Sequence, residues 1–309
     1  MFTETWYDVS LDLNVPHFQH FSLHRKKSKT SKRNSGGIVI YIRDYLVIDK
    51  SQFCESEGDI LWLRLDGKLF SLENDLCVGL SYIMSERSGR FNLIEHNVFD
   101  RLAESIACIH THTNGQYNIL LSGDCNSRTS VNREYIDFDT SGEFLSLPDD
   151  DTADRVRPRV SQDNGHTNNN GIALLEFCKQ TGLRILNGWC GQDDGVGKYT
   201  FVGSRGCSLV GYVLASEPIL YCITSFKEHD PNFFSDHCLI EYMFENTCTL
   251  EKRDAHSTYV NGSTVNWKYK WKPERRTDFI NGLNSEVFID QLDNLTAYTS
   301  TCFSEVYIN

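Results

Sequence analysis

No apolar run in this 309-residue chain approaches the roughly 20 residues that cross a bilayer; the best, Ile38 to Ile42, has the length of a strand. The first residues, Met1 to Ser10, carry Glu4 and Asp8 and no apolar stretch. No secretory signal is therefore expected, and the protein is expected to be intracellular with no membrane partner. Cys-x-x-Cys pairs are also missing, and the eleven cysteines are an odd number. Cys77, Cys222 and Cys238 lie inside apolar or strand-like runs, so free thiols buried as small hydrophobes are expected in place of a disulfide framework or zinc site. No internal repeat occurs, which excludes a solenoid. Positive charge is in short supply: 30 Lys and Arg against 42 Asp and Glu leave a net charge of −12. That balance argues against a general polyanion binder, although whole-chain charge does not decide whether nucleic acid is the partner.

The remaining composition, 40% apolar and 23% charged, is that of an ordinary globular chain long enough for one large domain or two small ones. Charge is unevenly spread. Arg25, Lys26, Lys27, Lys29, Lys32 and Arg33 form an acid-free run, and Asp137 to Asp154 holds seven acids with no base. Each reads first as a solvated loop. Short β-rich runs bounded by turn residues recur at 37–43, 59–65, 76–83, 117–123, 183–187, 198–202, 209–214, 219–224 and 237–244. Two segments have helical spacing. Leu102, Ile106 and Ile109 share a face in 99–109, and Ile172, Leu175 and Phe177 do so in 170–180, with Thr181-Gly182 as the stop. Many strands, few helices and no strict alternation predict an α+β sandwich. After Glu245 the character changes to a polar linker, then Trp267, Tyr269 and Trp271 alternate with lysines ahead of a helical pattern. The predicted organisation is a domain over 1–245 followed by a linker and partly helical tail over 246–309.

Four short motifs place reactive side chains at predicted strand ends: Glu4-Thr5-Trp6, Tyr82-Ile83, Gly123-Asp124-Cys125-Asn126 and Ser235-Asp236-His237. A carboxylate such as Glu4 suits Mg²⁺, a hard ion that prefers oxygen. Asp124 and Asn126, two apart on an extended segment, project to one side, where an acid and an amide could deprotonate and orient a water. His237 could hydrogen-bond a phosphoryl oxygen, and Asp236 could bind metal or move a proton. Together these groups meet the needs of phosphodiester hydrolysis. Singly each is weak; Asp124 could simply open a turn with Asn126 capping it. His110 and His112, near a helix C-terminus, are better explained by the helix dipole than by a metal. Asp149, Asp150 and Asp151 are consecutive and point in different directions.

The ordered series of motifs resembles the endonuclease/exonuclease/phosphatase superfamily, most of all the endonuclease domain of non-LTR retrotransposons. The resemblance runs from Glu4 to Phe244. It rests on Glu4-Thr5-Trp6, the run Gly36 to Arg43, Ser122 to Arg128, Asn170-Gly171 with Leu174 to Cys178, Gly182 to Gly188, Tyr199-Thr200-Phe201, Ser208 to Leu214 and Phe234 to His237. It implies two packed mixed β-sheets flanked by helices, a four-layer α/β sandwich, with the site at one end. It further implies Glu4 as metal ligand, Tyr82 as phosphate contact, Asp124 as activator of the attacking water, Asn126 as its orienting partner, and Asp236 with His237 as the closing pair. The cofactor implied is Mg²⁺, with Mn²⁺ as the alternative, and the partner is DNA.

Two departures stand out. The family opens with an asparagine-bearing strand ahead of the glutamate, and here Met1 lies only three residues before Glu4, so that strand is expected to be lacking and a sheet edge beside Ser235–His237 to be open. The family also carries an aspartate where this chain has Gly211, and that acid holds the histidine's other ring nitrogen. A milder one is Met84-Ser85 in place of prolines after the tyrosine. The reading is a retrotransposon-derived, Mg²⁺-dependent endonuclease-like protein with impaired activity. The alternatives are a non-catalytic relic that keeps some nucleic-acid contact and, third, a phosphatase of the superfamily.

Overall fold

The computed structural model describes residues 1–7, 12–24, 36–46, 48–49, 59–86, 88, 98–136, 158–204, 206–232, 234–244 and 305–308. The basic run 25–33, the acidic run 137–154, the domain boundary near 246 and the Trp267–Trp271 segment lie outside the described residues. In chain order the strands are β1 (Phe18–Leu23), β2 (Ile38–Arg43), β3 (Ile48–Asp49), β4 (Ile60–Leu65), β5 (Asp75–Tyr82), β6 (Tyr117–Asp124), β7 (Arg184–Ile185), β8 (Phe201–Gly203), β9 (Gly206–Ser208), β10 (Gly211–Ala215), β11 (Ile223–Glu228), β12 (Ile240–Phe244) and β13 (Glu305–Ile308). The helices are α1 (Val98–Thr113), α2 (Asn169–Thr181) and the single turn α3 (Glu217–Leu220).

The central sheet runs β3-β4-β5-β6-β10-β7 and is mixed: β5 and β6 are parallel, their neighbours antiparallel. A parallel pair needs a crossover, and α1 supplies it. The strands alternate between two cores, as a period of two requires. Trp62 of β4, Ile119 and Leu121 of β6, and Tyr212 and Leu214 of β10 face α1 and α2, where they meet Leu102, Ile106, Ile109, Leu174 and Phe177. The alternate residues, among them Leu63, Leu80, Leu120 and Val213, face the second layer. That layer comprises the antiparallel pair β1-β2 and the antiparallel sheet β11-β12-β13, which contribute Ile38, Ile40, Phe226, Ile240 and Tyr242. The fold is thus an α+β sandwich of one mixed central sheet packed on smaller antiparallel sheets, with few helices among the described residues.

Both helices form where expected, but on α2 the core face is Leu174, Leu175, Phe177 and Cys178, while Ile172, expected on that face, is exposed. The Trp62 indole N–H donates to Ser105 Oγ (3.0 Å), which fixes α1 on the sheet. Asn168 caps α2, its side chain accepting from the Gly171 N–H (2.8 Å), and Gly182 ends it in the left-handed region at φ 70°. Elsewhere the structure corrects the sequence. The run 219–224 is not one strand: Pro218, in the first turn, starts α3, and β11 begins only at Ile223. Strand β1 was not expected, because all six of its residues are half-buried and give no clean alternation. The edge expected to lie open is paired, since β12 has β11 on one side and β13 on the other. Among the described cysteines, Cys77, Cys125, Cys178 and Cys238 are free and buried. No helix among the described residues is long and apolar enough to cross a membrane.

Candidate active site

Three strands of the central sheet bring their ends together. Tyr82 is the register partner of Asp124 across the parallel β5–β6 pair, and Gly211 is its partner across β6–β10. The residue before Asp124 must be a glycine: at Gly123, with φ 156°, a Cβ would lie 1.9 Å from the Ser81 carbonyl oxygen. This close approach lets β6 deliver Asp124 to the end of the sheet while only 4% exposed. Asn126, in the left-handed region at φ 44°, turns back on it. Its backbone N–H donates to Asp124 Oδ1 (3.0 Å) and its amide to Asp124 Oδ2 (2.9 Å) and to the Ile83 carbonyl (2.9 Å). The Asn168 amide donates in turn to the Asn126 carbonyl (3.0 Å), so the helix cap also secures this turn.

Glu4 reaches the same point from the N-terminal segment. The N–H groups of Thr5 and Trp6 donate to the carbonyls of Gly37 (3.1 Å) and Gly36 (2.9 Å), and Phe2 pairs with Val39. Glu4 itself is held at φ 50°, a conformation that persists for a non-glycine residue only where surroundings over-determine it. The Tyr82 hydroxyl donates to Glu4 Oε1. His237 arrives from the segment before β12. The Val202 N–H donates to the Asp236 carbonyl (2.8 Å) and the Cys238 N–H to the Thr200 carbonyl (2.8 Å), bracketing the histidine. The Phe201 ring meets the imidazole edge-on at 5.2 Å. His237 Nε2 then lies 3.9 Å from Asp124 Oδ2, an ion-pair separation and not a hydrogen bond.

Glu4, Asp124 and His237 each offer one ligand atom, and all three atoms lie within 4.8 Å of one another. Burial pushes the Asp124 carboxyl up to about 6; His237 and the Asn126 N–H pull it back, while the charges of Glu4 and Asp236 push it further up. A buried carboxyl and a more accessible one thus face a common point, a setting that fits a divalent cation held by hard carboxylate oxygens. Asp236 is exposed and acts on Asp124 through its charge, outside the three-atom cluster. Asn126 is bonded to Asp124 by its backbone N–H and its amide.

Opposite Asp124, Gly211 opens onto a cavity of about 10 Å³ that Thr200, His237 and Asp124 help to line. A Cβ at position 211 would meet Thr200 Oγ1 at 3.4 Å, an ordinary contact, so neither backbone nor packing demands glycine there. Thr200 Oγ1 accepts from the N–H groups of Val210 (2.9 Å) and Gly211 (2.8 Å). Sequence reasoning gave no role to Asn168, Thr200 or Phe201. Only Asn168 carried a legible signal, an amide directly before a helical run.

No family profile and no curated protein sequence matches this chain. Solved structures do. The chain is similar to the endonuclease domain of TRAS1, a telomere-specific non-LTR retrotransposon, at 14% identity over 74% of this chain and 81% of that one, with a TM-score of 0.44. It is similar to the 3'-5' exonuclease NExo from Neisseria meningitidis at 14% identity over 74% and 80%, TM-score 0.44. It is similar to the AP endonuclease LMAP from Leishmania major at 12% identity over 75% and 72%, TM-score 0.48. At this low sequence identity, the resemblance to the endonuclease/exonuclease/phosphatase superfamily is carried by the order of the motifs in the sequence.

Proposed function

We propose that this site hydrolyses phosphodiester bonds in DNA with the help of a divalent cation, at a rate held down by Gly211. The observation that supports the reading is the convergence of Glu4, Asp124 and His237, from opposite ends of the sequence, within 4.8 Å. The cation, when bound by Glu4 and Asp124, supplies Lewis-acid stabilisation of charge on the phosphoryl oxygens. The protein's own groups do the rest. Asp124, buried at the end of β6 and facing the cleft, accepts the proton of the attacking water. Asn126 holds Asp124 by two hydrogen bonds and so sets its orientation. Tyr82 fixes Glu4 through its hydroxyl and is the proposed phosphate contact. Asp236 and His237 close the cleft. The imidazole reaches either the cation or a phosphoryl oxygen, and no side chain at 211 decides between them.

A second reading, a non-catalytic fold that retains DNA contact, is favoured by one observation, the glycine opposite Asp124. Supercoiled plasmid separates the two. Slow nicking is expected, abolished by EDTA and lowered about a hundredfold or more by Asp124→Ala, as removal of a general base entails. No nicking with any divalent ion, or nicking that survives Asp124→Ala, would discard the catalytic reading.

A further inference from the structure

The donor set of this cleft is mixed. Two groups are carboxylates and one is an aromatic nitrogen. A histidine that serves as a proton donor needs an acid or carbonyl on its second ring nitrogen to fix tautomer and orientation. Here residue 211, directly opposite Asp124, brings no side chain. Among the described residues no carboxylate stands within hydrogen-bond distance of the ring, the nearest being Asp124 at 3.9 Å. The ring is nevertheless held. Backbone bonds on both flanks pin residues 236 to 238 to residues 200 to 202, and the Phe201 ring packs against the imidazole. What results is an imidazole on a pinned backbone, with no described acid on its second nitrogen and with Nε2 3.9 Å from Asp124 Oδ2, close enough to share a cation with the carboxylates.

We propose that His237 is itself a ligand of the cation, which makes this a nitrogen–oxygen site selective for first-row transition ions over Mg²⁺. The inference rests on the cation-assisted reading above and names the ion class that the same site takes. Mg²⁺ is a hard ion that prefers oxygen donors and near-ideal octahedral geometry. Imidazole nitrogen suits transition ions such as Zn²⁺, Fe²⁺ and Ni²⁺ best, with Mn²⁺ the weakest of the first-row series, whereas Mg²⁺ keeps to oxygen, so one such donor among three shifts the preference away from Mg²⁺. The two carboxylates supply charge, and the nitrogen supplies discrimination.

Mn²⁺ and Mg²⁺ are titrated separately into the full chain without DNA, with calorimetry for affinity and electron spin echo spectroscopy of bound Mn²⁺ for its ligands. Mn²⁺ is expected to bind about tenfold or more tighter than Mg²⁺, and the Mn²⁺ spectrum to carry a ¹⁴N coupling from imidazole. In His237→Gln the coupling should vanish and Mn²⁺ affinity should fall about tenfold, with Mg²⁺ affinity changing less than about twofold. Equal affinities for the two ions, or a Mn²⁺ spectrum without nitrogen coupling in the unaltered chain, would overturn the proposal. The spectrum of the unaltered chain decides the matter even where the variant fails to fold. Nicking is scored separately: Mn²⁺ bound through nitrogen without plasmid cleavage keeps this inference and removes the hydrolytic reading, and cleavage without nitrogen coupling does the reverse.

Discussion

At the scale of single residues, this domain tolerates ionisable groups in places where water is scarce. Asp124 is one, and its burial is tied to the proposed chemistry. Glu228 is another and lies away from the cleft. It ends β11, 1% exposed, and its Oε1 accepts from the Asn187 amide (3.3 Å). Burial pushes its carboxyl up to about 9, with a hydrogen bond to Asp193 and the charge of that residue adding to the effect. The folded chain therefore keeps a proton that the unfolded chain releases above its ordinary value of 4.5. Stability from this group is complete below that value and is lost as pH rises toward about 9. Glu228→Gln keeps the shape and a hydrogen-bond donor without the titration. Its Tm should match the parent near pH 5 and exceed it by several degrees near pH 9, in thermal melts across that range. Parallel Tm-versus-pH curves for the two proteins would show that Glu228 does not hold its proton.

At the scale of elements, the ends of β5, β6 and β10 form one platform, and Gly211 is its incomplete position. Because a Cβ there makes only an ordinary contact with Thr200 Oγ1, Gly211→Asp should fold and place a carboxylate beside Asp124 and the His237 ring. A carboxylate on the second ring nitrogen fixes the imidazole, and errors in that orientation cost orders of magnitude in other enzymes. Plasmid nicking should rise on the order of tenfold or more in this variant. An unchanged or lower rate at equal metal occupancy would mean that the glycine is not what limits the site. The platform's other flank depends on β12, whose outer edge pairs with β13 from Glu305 to Ile308. An uncovered strand edge is a template for association. Deletion of residues 305–309 should speed hydrogen exchange of the β12 amides and favour self-association in sedimentation runs. Unchanged protection of β12 would assign its stability to β11 alone.

The same elements show what the sequence disclosed. Strands with one face on each core, such as β4 and β6, and helices with a repeating apolar face, such as α1, announce themselves through periodicity. β1 did not, because a pair at the margin of the sandwich leaves all its residues half-wet. β13 did not, because its role is set by a partner strand far away in the chain. The reactive residues were legible as types at strand ends, whereas their meeting was not. Convergence of Glu4 with His237 depends on Phe2–Val39 pairing and on the bracket from Thr200 and Val202, contacts that no local pattern encodes.

At the scale of the whole molecule, charge decides how DNA would be met. A chain at −12 repels a polyanion overall, so any affinity has to come from a local concentration of cations. The acid-free run from Arg25 to Arg33 is such a concentration, and in sequence it falls between Glu4 of the cleft and β2, the strand that Phe2 pairs with. Phosphate contacts made by such a run carry no sequence preference and are paid out in released counterions, so they reveal themselves in the salt dependence of binding. For each phosphate neutralised, the slope of log affinity against log salt steepens by roughly 0.9 on duplex DNA. Replacing Lys26, Lys27, Lys29 and Lys32 together by Gln should weaken binding to unrelated duplexes by the same factor and flatten that slope by about 2 to 4, measured by fluorescence anisotropy in Ca²⁺ to block cleavage. A slope identical to that of the parent would place the run off the DNA and leave the cleft itself as the only point of contact. A slope that flattens while one duplex alone loses affinity would instead mark the run as a reader of base sequence, which lysines along a backbone do not do.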